Sequence, residues 1–98
     1  MESVYETCIC HELTKMKVPF ERQLCLPLNY DGIVIETGLR FDLLVNDLVV
    51  AELKANDGLL PVHEAQILTY LKLTNKRLGF LINFNVTLLK SGIKRIVN

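Results

Sequence analysis

The spacing of apolar residues changes along the chain and separates helical from extended segments. From Glu2 to Met16 apolar residues recur at roughly helical intervals without glycine or proline, which predicts a first helix. From Phe20 to Tyr30 they keep largely to one parity, which predicts a strand. Pro27 places part of this strand at an edge or in an irregular segment, because proline cannot donate to a sheet ladder.

The later segments complete a mixed pattern of strands and one more helix. The sequence predicts strands at 33–45 (with a bend at Gly38), 48–55, 78–84 and 93–97, a helix at 61–74, and loops at 56–60 and 85–92. The order α-β-β-β-α-β-β predicts an α/β fold of the mixed-sheet α+β type, with helices packed on the sheet. The helix at 61–74 is long enough to connect two parallel strands. We expect residues 1–98 to form a single domain, because no linker or repeat interrupts the pattern.

Asp42 and Glu52 lie in neighbouring predicted strands, and the connection at Asn46-Asp47 decides whether their side chains meet. A two-residue turn would pair Asp42 with Ala51 and put the two acids on opposite faces of the sheet. A three-residue loop or a bulge would instead put Asp42 opposite Glu52, with Lys54 beyond on the same face.

The second register would pair Val45 with Val49 and Leu43 with Ala51, and it would put Phe41 opposite Leu53 on the other face. Both registers pair apolar residues, so hydrophobicity does not choose between them. We predict the second, because it gathers the three polar side chains into one site.

Asp42, Glu52 and Lys54 in this register suit the hydrolysis of a phosphodiester. Two facing carboxylates repel one another, and Mg²⁺ or Mn²⁺ would remove the repulsion while keeping positions for phosphate oxygens. Lys54 could then orient the attacking water or stabilise charge on the phosphate. The alternative is an ion pair of Lys54 with either acid at the edge of the sheet, a spacing that often arises by chance.

Gln66 and Tyr70 lie one turn apart on the helix that follows, so they share a face. Both side chains can hydrogen-bond a phosphate or a lysine, which favours a functional interpretation of the pair. Tyr70 taken alone is more typical of a core aromatic residue whose hydroxyl reaches the rim, and only the pairing with Gln66 favours a function.

Composition narrows the class of protein. Eleven basic and eleven acidic residues give a net charge of zero, which argues against strong general attraction to nucleic acid but leaves room for a local site. The sequence has neither an apolar run of membrane-spanning length nor a signal peptide, so we expect no membrane association and a cytoplasmic location. Three cysteines without a paired spacing are typical of thiols in a reducing compartment.

Several basic or titratable side chains are candidates for contact with a nucleic-acid backbone: Arg40, His63, Lys72 and Lys76. Arg40 is two residues before Asp42, where it could bind phosphate or neutralise the acids. His63 precedes Gln66 by one turn, although a surface histidine near a helix start is the commoner case. The lysines are equally compatible with ordinary solubilising charge.

Asp42, Glu52-Leu53-Lys54 and the Gln66–Tyr70 spacing resemble the PD-(D/E)XK nuclease superfamily, in particular the RecB-like branches with a Q-x-x-x-Y motif. Through residues 2–6, 59–66 and 79–85 the whole chain resembles the small prokaryotic GxxExxR proteins grouped with those nucleases. Phe41-Asp42 stands where the superfamily has proline and aspartate. The chain also begins without the Gly-rich stretch that precedes residue 2 in such proteins, so the resemblance implies a shortened N-terminus.

The resemblance implies a restriction-endonuclease-like core and a nuclease that acts on DNA rather than RNA with Mg²⁺ or Mn²⁺. Carried over, Asp42 and Glu52 would ligate metal, Lys54 would serve the attacking water, and Gln66 and Tyr70 would support the site or contact DNA. An acid of the first helix would join them as a further metal ligand, Glu2 as first choice and Glu6 as second.

Two other interpretations of the chain stay open. A catalytically weak or inactive relative would use the same fold to bind DNA or a protein. A homodimer is compatible with either interpretation, because half the residues are apolar and few elements are available to cover the sheet.

Overall fold

The structure, a computed structural model, describes residues 1–55, 58 and 61–98, and at Thr37 and Gly38 it describes the backbone only. Within these residues the helices and strands follow the predicted order: α1 (Glu2–Lys15), β1 (Phe20–Tyr30), β2 (Ile33–Val45), β3 (Val49–Lys54), α2 (Pro61–Thr74), β4 (Leu78–Asn83) and β5 (Ile93–Val97). A short 3₁₀ helix, Leu89–Gly92, precedes β5. Strand β2 is continuous through the predicted bend at Gly38, but its register with β1 shifts there, between the Leu26–Leu39 and Leu28–Ile35 pairs. The predicted loop at 56–60 lies outside the described residues except for Gly58.

The described strands form one sheet in the order β1-β2-β3-β4-β5. Strands β3 and β4 are parallel and the other neighbours are antiparallel, which confirms that α2 belongs to a parallel crossover. This mixed α+β architecture agrees with the expected restriction-endonuclease-like core. Among the described residues, no helix is long and apolar enough to cross a membrane.

The register of β2 and β3 is the predicted one. Val45 pairs with Val49 and Leu43 with Ala51, which leaves a three-residue connection. Asn46 and Asp47 in that connection have φ values of 54° and 57°. Asn and Asp tolerate this left-handed conformation better than most residues, so the turn suits its sequence.

Two groups of buried side chains hold the layers together. The first joins α2 to the sheet through seven buried residues: Leu39, Phe41, Leu44, Val50, Ile67, Leu71 and Ile96. The second lies under α1 and contains Cys10, Leu43, Ala51 and Leu53. The sheet is therefore covered on both sides around its central strands.

Phe41 corrects one detail of the predicted hairpin. It was expected to share a face with Leu43 and Leu53, but it packs in the α2 group while they pack in the α1 group. The alternation of side chains therefore reverses at Asp42. Gln23, which falls between the Arg22–Leu43 and Leu24–Phe41 pairs, has a left-handed φ of 49°, and this local distortion accounts for the reversal.

Candidate active site

Asp42 and Glu52 meet where β2 and β3 part. The backbone N–H of Asp42 donates to Glu52 Oε1 at 3.2 Å, and the backbone N–H of Leu53 donates to Asp42 Oδ2 at 2.9 Å. Each carboxylate thus accepts a bond from the opposite strand, in place of the ladder bonds of the preceding pairs. These two hydrogen bonds hold the Asp42 and Glu52 carboxyl groups close together.

The Glu52 carboxyl group has a pKa well above the ordinary value for glutamate. Its half-buried side chain loses water, and the neighbouring Asp42 carboxylate repels its charge, so the pKa of Glu52 rises to about 8. Lys54 acts in the opposite direction and lowers that pKa, but its effect is smaller. Without a cation, the Glu52 carboxyl therefore keeps its proton at neutral pH.

Lys54 is half-buried, near enough to Glu52 to influence its charge. Its neighbour in the parallel register is Asn83, whose side chain is only 3% exposed. Asn83 Oδ1 accepts a hydrogen bond from the backbone N–H of Asn85 at 3.1 Å. Sequence reasoning missed Asn83, and the one available signal was a polar residue at the end of an otherwise apolar strand.

Gln66 and Tyr70 share a face of α2 as predicted. Gln66 Nε2 donates to the Tyr70 hydroxyl at 2.8 Å. The Tyr70 ring packs against Phe41, with ring centroids 5.6 Å apart. Because Phe41 directly precedes Asp42, Tyr70 supports the strand at the point where the carboxylates meet.

A cavity of about 190 Å³ opens beside Asp42, and α1 supplies one side of it. Glu2 lies exposed at this cavity, whereas Glu6 is only 7% exposed. Glu6 Oε2 accepts a bond from Arg22 at 3.0 Å, and its Oε1 accepts one from Gln23 at 2.6 Å. Glu6, the second choice from the sequence, is thus the acid of α1 that is linked to Asp42 through Gln23.

Sequence reasoning did not single out Arg22 or Gln23. Both come from β1, which the sequence analysis treated only as a strand with one parity. Their importance depends on the distortion at Gln23, which turns the amide towards Glu6 and Asp42. Nothing in the spacing of β1 signals that distortion.

Comparison with known proteins decides the family. The profile of the PD-(D/E)XK nuclease superfamily matches residues 1–96. The chain belongs to the PD-(D/E)XK nuclease superfamily. No curated protein and no solved structure matches the chain. Members of this superfamily share a nuclease fold and generally use divalent metal ions.

The donor set beside β2 and β3 fits such a metal. Among residues 1–55, 58 and 61–98, no three His, Cys, Asp or Glu side chains form a ready-made ligand cluster. Asp42 and Glu52 nevertheless offer hard carboxylate oxygens, the ligand type that Mg²⁺ and Mn²⁺ prefer. A cation would also replace the proton that burial and Asp42 keep on Glu52.

The basic candidates of this superfamily member have different surroundings. Arg40 is exposed and lines the cavity beside Asp42, and Lys72 is exposed on α2. His63 is half-buried near the start of α2. Lys76 instead donates to the backbone oxygen of Asp47 at 2.8 Å and to Asp47 Oδ1 at 3.2 Å, which ties it to the β2–β3 connection.

Proposed function

We propose that the chain is a metal-dependent nuclease that hydrolyses DNA phosphodiester bonds at Asp42, Glu52 and Lys54. The observation that carries the proposal is the pair of backbone N–H bonds that brings the Asp42 and Glu52 carboxyl groups together, with the pKa of Glu52 raised to about 8. Placing two acids together in a half-buried site costs stability unless a proton or a cation neutralises one of them, and a cation bound by both would displace that proton. An ordinary structural ion pair would not need the second acid.

Asp42 and Glu52 would hold Mg²⁺ or Mn²⁺. The bound ion supplies Lewis-acid stabilisation of the charge that develops on the phosphate. Lys54, next but one to Glu52 on the same strand, orients the attacking water and assists the loss of its proton. Gln66 and Tyr70 keep β2 in position through Phe41 and present polar groups at the rim.

Glu2 is proposed as a further metal ligand, since it is exposed at the cavity beside Asp42. The backbone of the nucleic acid would lie along Arg40, with Lys72 and His63 on the α2 side. Lys76 contributes there only if its bonds to Asp47 break. Because the chain has no net charge, local contacts must supply the attraction.

Within the superfamily we assign the chain to the GxxExxR group of the RecB-like branch. The 2.8 Å bond between Gln66 and Tyr70 supports this assignment, because the Q-x-x-x-Y residues act as a pair. The resemblance through residues 2–6, 59–66 and 79–85 supports it further.

Incubation with supercoiled DNA, single-stranded DNA and RNA tests the proposal. We expect the native protein to cleave DNA with Mn²⁺ and not with EDTA, and Glu52→Ala to remove the activity. Glu36→Ala, which removes an exposed acid near the β1–β2 turn, serves as the matched control and should cleave normally. Equal cleavage by all variants would indicate a contaminating nuclease. No cleavage by the native protein would favour the alternative, a binding module with the nuclease fold.

We also propose that two copies of the chain associate through the far end of the β1–β2 hairpin. Tyr30 and Ile33 are 68% and 63% exposed and pair with one another, next to the Leu28–Ile35 pair on the same face. Val34, which is 57% exposed and pairs with Asn29, adds an apolar side chain on the other face of the same end, and apolar side chains exposed close together mark interaction surfaces. Zero net charge adds no repulsion between copies.

Sedimentation equilibrium at tens of micromolar protein should therefore report a dimer for the native chain. Ile33→Glu should give a monomer, because it puts a charge into the proposed contact. Leu88→Glu changes an exposed leucine (56%) outside the hairpin and should leave the dimer intact. A native monomer at this concentration would refute the association.

A further inference from the structure

Gln23 stands out in β1 because its backbone is unusual for its residue type. Its φ of 49° lies in the left-handed region, which side chains other than glycine, asparagine and aspartate seldom adopt. Residues held in such conformations cost of order 1–3 kcal/mol and persist where the surroundings fix them. Such an outlier calls for an account of what its side chain does.

The side chain of Gln23 lies between two carboxylates. Its Nε2 donates to Glu6 Oε1 at 2.6 Å and to Asp42 Oδ1 at 3.4 Å. A side-chain amide has two N–H bonds on one nitrogen, so it can serve both acids at once. The shorter bond to Glu6 fixes the amide, and the longer one then acts on Asp42.

Glu6 is itself held firmly. It is 7% exposed, and its other oxygen accepts a bond from Arg22 Nη2 at 3.0 Å. Helix α1 thereby supplies a buried anchor for the Gln23 amide. The chain Arg22–Glu6–Gln23–Asp42 runs from the first helix to the strand that carries the site.

Asp42 is consequently fixed at both oxygens. Gln23 donates to Oδ1, and the backbone N–H of Leu53 donates to Oδ2. Each of these donors still leaves a lone pair on the oxygen it contacts, so the carboxylate is oriented but can accept further partners. Groups that orient a metal ligand from outside affect metal affinity strongly.

We propose that Gln23 is a positioning residue for Asp42, anchored by Glu6 and Arg22, and that it sets the carboxylate orientation needed to bind the divalent ion. The inference rests on the proposed function for its metal site. It also accounts for the left-handed backbone, since that conformation directs the amide between the two acids. Neither the superfamily assignment nor the sequence pattern gives this residue a role.

Calorimetric titration with Mn²⁺ tests the proposal without any cleavage assay. Gln23→Asn keeps an amide and suits the left-handed backbone, but its side chain is one methylene shorter and cannot bridge both acids. Gln23→Met keeps the length and removes the donors. We expect both variants to weaken Mn²⁺ binding by about 10- to 100-fold, the usual effect of losing an outer partner of a metal ligand.

Glu21→Gln is the matched control, because it changes an exposed side chain of the same strand that lies outside the chain Arg22–Glu6–Gln23–Asp42. It should bind Mn²⁺ as the native protein does. In a Glu6→Gln background the added effect of Gln23→Asn should shrink, because the amide has then lost its charged anchor.

Thermal unfolding of the same proteins separates positioning from folding. We expect Gln23→Asn to melt within a few degrees of the native protein although it binds Mn²⁺ more weakly. Native affinity in both Gln23 variants would overturn the positioning role alone. A native protein that binds no Mn²⁺ would overturn the metal site and, with it, this inference.

Discussion

Replacing Lys54 by methionine is expected to lower the rate of DNA cleavage at saturating Mn²⁺ by about 10²- to 10⁴-fold, the usual contribution of a group that assists proton transfer. Methionine keeps most of the apolar length of lysine in this half-buried position, so the fold should persist. Single-turnover cleavage with the metal in excess measures the effect.

The same Lys54→Met variant should bind Mn²⁺ at least as tightly as the native protein. The ammonium group of Lys54 cannot ligate a cation, and it lies near enough to Glu52 to lower its pKa. Its removal takes away a positive charge that opposes metal binding. Lys90→Met, an exposed lysine outside the site, should change neither quantity. A Lys54 variant that cleaves at the native rate would remove lysine from the mechanism.

Replacing Glu52 by glutamine is expected to stabilise the metal-free protein at high pH. The pKa of Glu52 is about 8 in the folded chain and near its ordinary value of 4.5 when unfolded. Between these values the folded state binds one more proton than the unfolded state. The free energy of unfolding contributed by Glu52 is therefore fully present below pH 4.5 and is lost as the pH rises through 8.

The size of this loss is roughly 2–4 kcal/mol, because each pH unit between the two pKa values corresponds to about 1.4 kcal/mol and the carboxyl keeps part of its water. Glutamine has no such titration. The difference in free energy of unfolding between Glu52→Gln and the native protein should grow with pH and level off above 8. Urea unfolding in EDTA across this range measures it.

Glu36→Gln provides the comparison for an exposed acid, and its difference from the native protein should stay nearly constant with pH. Excess Mn²⁺ should restore stability to the native protein at high pH and not to Glu52→Gln. A pH-independent difference for Glu52→Gln would contradict the account of a carboxyl that is strained by burial and by Asp42.

The order of helices and strands and the register of β2 and β3 could be predicted from the sequence, because each has a local cause. Periodicity separated helix from strand, and the three-residue connection before Val49 followed from requiring Asp42 and Glu52 to meet. The parallel pairing of β3 and β4 followed from the length of α2. These features depend on neighbouring residues, which a pattern records directly.

The reversal of side-chain alternation at Asp42 could not be predicted from the sequence, because it depends on contacts between residues that are distant in the chain. Simple alternation placed Phe41 with Leu43, whereas Phe41 packs with Ile67 under α2. Gln23 adopts its left-handed backbone near Asp42 while its amide bonds to Glu6, seventeen residues away. A one-dimensional pattern contains no trace of such a three-way contact.

For the same reason, only part of the arrangement of the candidate site could be predicted from the sequence. Asp42, Glu52 and Lys54 follow from strand geometry, and the Gln66–Tyr70 bond follows from helical spacing. The buried Asn83 beside Lys54 and the buried Glu6 become visible only when the strands and α1 are assembled. Glu2, the first choice among the acids of α1, stays a prediction at the exposed edge of the cavity.

The central claim is that Asp42 and Glu52 bind one divalent cation, and calorimetric titration of the native protein with Mn²⁺ tests it most directly. We predict one site per chain, with proton release on binding at pH 7 because Glu52 must give up its proton. Asp42→Asn should abolish the site, while Glu36→Gln should retain it. A native protein without saturable Mn²⁺ binding, or an Asp42→Asn variant that binds as well as the native protein, would contradict the claim.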